Sequence, residues 1–77
     1  MWIDNRIAKP LRKGNYRTLI ESDGLGNLQE CNADHFNGYD WDYMLSNRQF
    51  ISYWWADKED YKIISDRLEN YELSKIR

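Results

Sequence analysis

The 77-residue chain is long enough for one hydrophobic core and too short for two. Eleven Lys and Arg against 13 Asp and Glu give a formal net charge of -2, which excludes a strongly basic nucleic-acid binder and a heavily acidic DNA mimic alike. Aromatic residues make up 16% of the chain, from four Trp, six Tyr and two Phe, and valine is missing, so the core must be built from rings, Leu and Ile. The longest apolar stretch, Phe50 to Ala56, is interrupted by Ser52 and falls far short of the roughly 20 residues a spanning helix needs, so no membrane partner is expected. Asp4 interrupts the opening residues and no apolar run with a small-residue cleavage site follows, so a secretory leader is not read. Cys31 is the only cysteine. It rules out an internal disulfide and fits a reducing compartment, so the expected location is the cytoplasm.

Taken in order, residues 1–14 read as an irregular basic segment, 15–56 as an antiparallel sheet and 57–77 as a helix. Pro10 and Gly14 close the first part, since proline biases Lys9 toward extended geometry and glycine accepts positive φ. Asn15 to Ser22 alternates Tyr16, Thr18 and Ile20 with Arg17, Leu19 and Glu21, the period-2 pattern of a strand. Two glycines and flanking Asx residues mark 22–27 as a turn, with a hairpin partner from Leu28 to about Phe36. Asn37-Gly38 signals a second hairpin. Beyond it Tyr39, Trp41 and Tyr43 alternate with Asp40 and Asp42, predicting a half-buried strand with three rings on one face and two carboxylates on the other. After a polar loop over 45–49, Phe50 to Trp55 reads as the last strand, with Trp54 and Trp55 on opposite faces. Asp57 is placed to cap a helix whose first turn holds Glu59 and Asp60. Tyr61, Ile64, Leu68 and Tyr71 fall on one stripe beside Ile76, leaving Ile63 and Leu73 off it. The expected fold is therefore α+β, a three- or four-stranded antiparallel meander with the C-terminal helix packed on one face.

Cys31 and His35 are too few for zinc, and on a strand they would sit about 13 Å apart, beyond the reach of a nucleophile and its base. Asp40 and Asp42 suit a hard cation in type, yet they are also what a half-solvated strand presents to water. Gly24-Leu25-Gly26 lacks the Lys-Ser/Thr ending and following helix of a phosphate loop. No catalytic residue, metal or cofactor is assigned. Charge is uneven along the chain: Arg6, Lys9, Arg12, Lys13 and Arg17 precede a middle stretch rich in Asp and Glu. Those five residues define one alternative function, a grip on single-stranded nucleic acid, which the negative total and the acidic middle oppose. The simpler expectation is that the basic segment pairs with the acidic stretch or faces water.

Trp2-Ile3, Lys9-Pro10, Gly14 with Tyr16 to Ile20, Asp23-Gly24, Phe36-Asn37-Gly38 with Trp41, and Ile51-Ser52-Tyr53-Trp54 resemble a domain-of-unknown-function family of short phage and prophage proteins. The likeness spans about the first 55 residues and departs where the family ends in a Met-Pro-Leu-Pro tail and this chain enters a helix. It implies a small β-rich phage protein, located in the host cytoplasm, and it carries no activity to transfer. Combined with rings on more sheet faces than one helix can cover, it leads to the expected function: a non-enzymatic module that binds and modulates or inhibits a host protein. The expected contact set is Tyr39, Asp40, Trp41, Asp42, Tyr43, Tyr53 and Trp55, because Trp and Tyr dominate binding hot spots. A homo-oligomer joined through Ile63 and Leu73 is a further alternative.

Overall fold

The computed structural model describes residues 1–21 and 23–68. It contains β1 (Trp2–Asp4), β2 (Gly14–Glu21), β3 (Leu28–Phe36), a 3-10 turn (Met44–Ser46), β4 (Ile51–Trp55) and α1 (Lys58–Leu68). The four strands form one antiparallel sheet with α1 following it, the α+β architecture the alternation and the helix stripe imply. The spatial order is β1-β4-β2-β3, so only the β2–β3 hairpin joins sequence neighbours. A sequential meander would place them otherwise; here β4, which follows β3 in the chain, separates β1 from β2.

Two segments differ from the sequence reading. The N-terminal stretch, read as irregular throughout, contributes β1, whose Trp2, Ile3 and Asp4 pair with Trp55, Trp54 and Tyr53. Three residues are too few to display a period, and the partner lies some fifty positions away in the chain. Residues 39–43, read as a strand, form bends with a single bridge between Phe36 and Trp41. The cause is local. Asn37 Oδ1 accepts the backbone N–H groups of Tyr39 (2.9 Å) and Asp40 (3.1 Å), and Asp40 Oδ1 accepts that of Trp41 (2.9 Å). Side chains thereby take the donors a ladder would need, and Gly38 turns the chain at φ 102°. The three rings consequently do not share a face: Trp41 is 3% exposed, while Tyr39 and Tyr43 are 88% and 69% exposed.

The core lies on one side of the sheet, where Ile3, Ile20 and Trp54 meet Phe36, Trp41, Leu45, Ala56 and Ile64. Register accounts for it: Ile3 and Thr18 both face Trp54, and Ser52 faces Ile20, so one set of alternate residues points inward. Trp54 is fully buried, donates its indole N–H to the Ala8 carbonyl at 2.8 Å and packs edge-on against Tyr16. The 41–45 segment closes this side. Asp34 accepts the N–H groups of Tyr43 (3.1 Å) and Leu45 (2.9 Å), and Asn5 donates to the Leu45 carbonyl and Ser52 Oγ.

Asp57 caps α1, accepting the N–H of Asp60 at 2.8 Å. Ile64 reaches the core with Tyr61 and Leu68 beside it, as the stripe requires, and Ile63 is exposed. Tyr71, Leu73 and Ile76 lie outside the described residues. Among those described, no helix is long and apolar enough to cross a membrane.

Candidate functional site

The side of the sheet opposite the core is set by the other half of each strand. Trp2 and Trp55 are cross-strand partners in the β1–β4 ladder, and their rings meet edge to face at 5.2 Å between centroids with planes 79° apart. Arg17 belongs to the same row, because its neighbour Thr18 pairs with Trp54. Its guanidinium carbon lies 5.2 Å from the Trp2 ring and 5.1 Å from the Trp55 ring, within the range of a cation–π contact with both. From there the guanidinium donates to Glu30 Oε1 at 2.7 Å. Four residues from four different strands are thus linked: Trp2, Trp55 and Arg17 lie in one cross-strand row, and Glu30, opposite Leu19 in the β2–β3 ladder, joins it diagonally. Trp55 is 38% exposed and Trp2 half-buried.

Tyr53 shares this face two residues from Trp55, but Leu19 and Asp4 flank it in the ladder and it is buried. That burial, with Asp4 and Glu21 nearby, raises its phenol above the ordinary tyrosine range. Arg6 closes the edge, donating through Nε (3.1 Å) and Nη2 (2.7 Å) to the two oxygens of Asp4. The paired hydrogen bonds and the carboxylate charge raise the Arg6 pKa further.

The seven residues expected to form one contact patch are divided among three places. Tyr53 and Trp55 lie on the far face of the sheet, with only Trp55 offering surface. Trp41 is in the core, donating its indole N–H to Asn5 Oδ1 and contacting Tyr16 and Phe36 edge-on. Tyr39, Asp40, Asp42 and Tyr43 sit on the 37–43 loop. There Asp40 meets Lys9 (3.4 Å) and Arg48 (3.2 Å), and Asp42 accepts from Asn37 and stands 4.0 Å from His35. The Trp41 N–H, with Lys9 and Arg48 adding attraction, holds the Asp40 carboxyl below the usual carboxylate range. His35 Nδ1 is 3.0 Å from Asn15 Oδ1, whereas Cys31 Sγ is against the Gln29 carbonyl, so the two share no partner. No cluster of three metal-ligating side chains occurs among the described residues.

The basic segment is largely neutralised. Arg6 pairs with Asp4, Lys9 with Asp40, Arg12 with Asp60 at 2.5 Å and Arg17 with Glu30. Asp40, Asp60 and Glu30 come from the acidic stretch, so the charge asymmetry of the chain is folded back on itself. Only Lys13 of the five has no ion pair among the described residues.

The sequence patterns do not group Trp2 and Arg17 with Trp55. The alternation of β2 already put Arg17 opposite the core-facing Thr18, but the strand that carries Trp2 to Trp55 leaves no periodic trace in three residues. A scan against protein-family models and searches of curated proteins and of solved structures return no match for this chain.

Proposed function

We propose that the chain is a small, non-enzymatic protein-binding module whose contact surface is the far face of the sheet, centred on Trp2, Arg17 and Trp55. The observation that supports this is the row of two indoles and one guanidinium, held in mutual contact on the side of the sheet opposite the core. Trp and Arg are among the residues that most often dominate binding energy. Here they are also held in place before a partner arrives: Glu30 restrains the guanidinium, and the ladder fixes both rings. The ordering entropy that a flexible surface would lose on binding is correspondingly smaller. The likeness of the sequence to short phage and prophage proteins supports an accessory role in which the partner is a host protein whose activity is modulated or inhibited.

The test uses the intact chain and its Trp55→Ala and Arg17→Ala variants as baits in host lysate, followed by calorimetric titration of the purified partner. Each variant is expected to weaken binding by about 2 kcal/mol or more, roughly thirtyfold, while far-ultraviolet circular dichroism remains that of the folded chain. Full affinity in both folded variants removes the reading. If Trp55→Ala fails to fold, Arg17→Ala decides.

A further inference from the structure

The sheet has two edges, and they are not alike. β1 ends one side with three residues, whereas β3 ends the other with nine. The upper part of the β3 edge is closed: Asp42 donates its N–H to the His35 carbonyl at 2.9 Å, and Trp41 bridges to Phe36. The remaining stretch, Leu28 to Ala33, pairs with β2 on one side and has no backbone partner on the other among the described residues. An open groove of about 620 Å³ runs along it, lined also by the exposed residues Tyr43 and Met44.

The residues of this stretch do little to repel a second strand. Natural sheets protect free edges with Lys, Pro, inward-pointing charge or bulges. Leu28 to Ala33 contains neither Lys nor Pro, and its single charge, Glu30, is held by Arg17 of the same chain. One protecting device is present. The register steps from Tyr16↔Asp34 to Thr18↔Cys31, so Asn32 and Ala33 together oppose Arg17, a bulge that confines regular pairing to the part of the strand before it. What satisfies a row of unpaired N–H and C=O groups is another extended backbone.

We infer that the occupant is a second copy of this chain, the open β3 edges of two copies pairing antiparallel about a two-fold axis perpendicular to the sheet. Such an axis closes the contact after two copies and gives each edge its complement. It also keeps faces together, so the core side of one sheet continues into the core side of the other. Tyr43 and Met44 of each copy then border the joined strands and lose part of their exposure. The neutralised Glu30 removes the charge that would otherwise hold two identical edges apart. The result is one eight-stranded sheet in the order β1-β4-β2-β3-β3-β2-β4-β1. Both Trp55 side chains lie on the same face of it, about five strand spacings or ~24 Å apart. This extends beyond the contact reading of that face and does not depend on it.

Sedimentation equilibrium from micromolar to millimolar protein tests the inference, together with amide hydrogen exchange at both ends of that range. The expected result is a concentration-dependent rise to twice the monomer mass, with exchange slowing selectively at amides within Leu28 to Cys31, before the bulge. The Gln29→Lys/Asn32→Lys variant changes two exposed edge positions and is expected to weaken dimerisation at least about tenfold with an unchanged circular dichroism spectrum. Trp55→Ala is expected to dimerise as the parent chain does. A monomer at every concentration overturns the inference. So does a dimer whose new protection lies on β1 or α1, or one that the two lysines leave intact.

Discussion

The indole N–H of Trp41 donates to Asn5 Oδ1 at 2.8 Å, both residues buried and 36 positions apart. Through the other end of the same amide, Asn5 donates to the Leu45 carbonyl (3.2 Å) and to Ser52 Oγ (3.3 Å). One side chain thus ties the residue after β1 to the closing segment and to β4. Among the described residues no buried side-chain nitrogen or oxygen lacks a partner, so removing Asn5 would leave several groups stranded at once.

Asn5→Leu is accordingly expected to cost about 2–3 kcal/mol, because the Trp41 N–H and the Leu45 carbonyl lose partners that water cannot replace. Urea denaturation monitored by tryptophan fluorescence reads the loss. An unchanged midpoint would mean that Asp34 and the Phe36–Trp41 bridge hold the 41–45 segment without Asn5.

Neighbouring tryptophans should behave oppositely. Trp54→Ala removes a fully buried ring and its bond to the Ala8 carbonyl, a loss of about 3–5 kcal/mol and a large fraction of the stability of a domain this small. Trp55→Ala removes one edge-on ring contact and one cation–π contact at a partly exposed site, about 1 kcal/mol. Thermal melts of the two variants, compared with the parent chain, separate the core side of β4 from its far side.

Asp40 makes the 37–43 loop sensitive to acid. Its folded carboxyl titrates below the unfolded one, so it contributes stability above the unfolded value, about 3.9, and that contribution is lost as pH falls through the lower folded value. Asp40→Asn should therefore be less stable than the parent chain near neutral pH, and the two should converge in strong acid. A stability difference that persists at about pH 2 would assign the effect to geometry instead of charge. Tyr16 and Tyr53 act at the other extreme. Burial raises both phenols, so the stability they favour is present below about pH 10 and declines as the pH rises through their folded values.

The basic N-terminal segment is expected to give no gel shift with labelled single-stranded DNA or RNA at low salt. Four of its five cations are already paired, and releasing each from its carboxylate would offset what a phosphate contact contributes. A shift that weakens steeply with added salt would restore the nucleic-acid alternative and point first to Lys13.

Much of this molecule is written locally in its sequence. The alternation of Tyr16, Thr18 and Ile20, the Asp23-Gly24 turn with Gly24 at φ 71°, the Asp57 cap and the Tyr61, Ile64, Leu68 stripe all produce the elements their patterns imply. They rest on spacing and on donors a few residues away, and so do the opposite orientations of Trp54 and Trp55. The same local logic misleads at 39–43, where the alternation is real but the Asn37 and Asp40 side chains take the backbone donors. Other features depended on chain segments meeting from a distance. Pairing of Trp2 with Trp55 makes β1 a strand, places the N-terminal tryptophan on the far face and gives Arg17 two rings to lie across. The return of β4 between β1 and β2 leaves β3 at an edge. Length and composition determined one ring-rich domain of nearly balanced charge; tertiary structure decided where the balance is struck, carboxylate by guanidinium, and which rings are core. The reason is range: a pattern of period two or 3.6 specifies an element and its faces, and only packing specifies what each face meets.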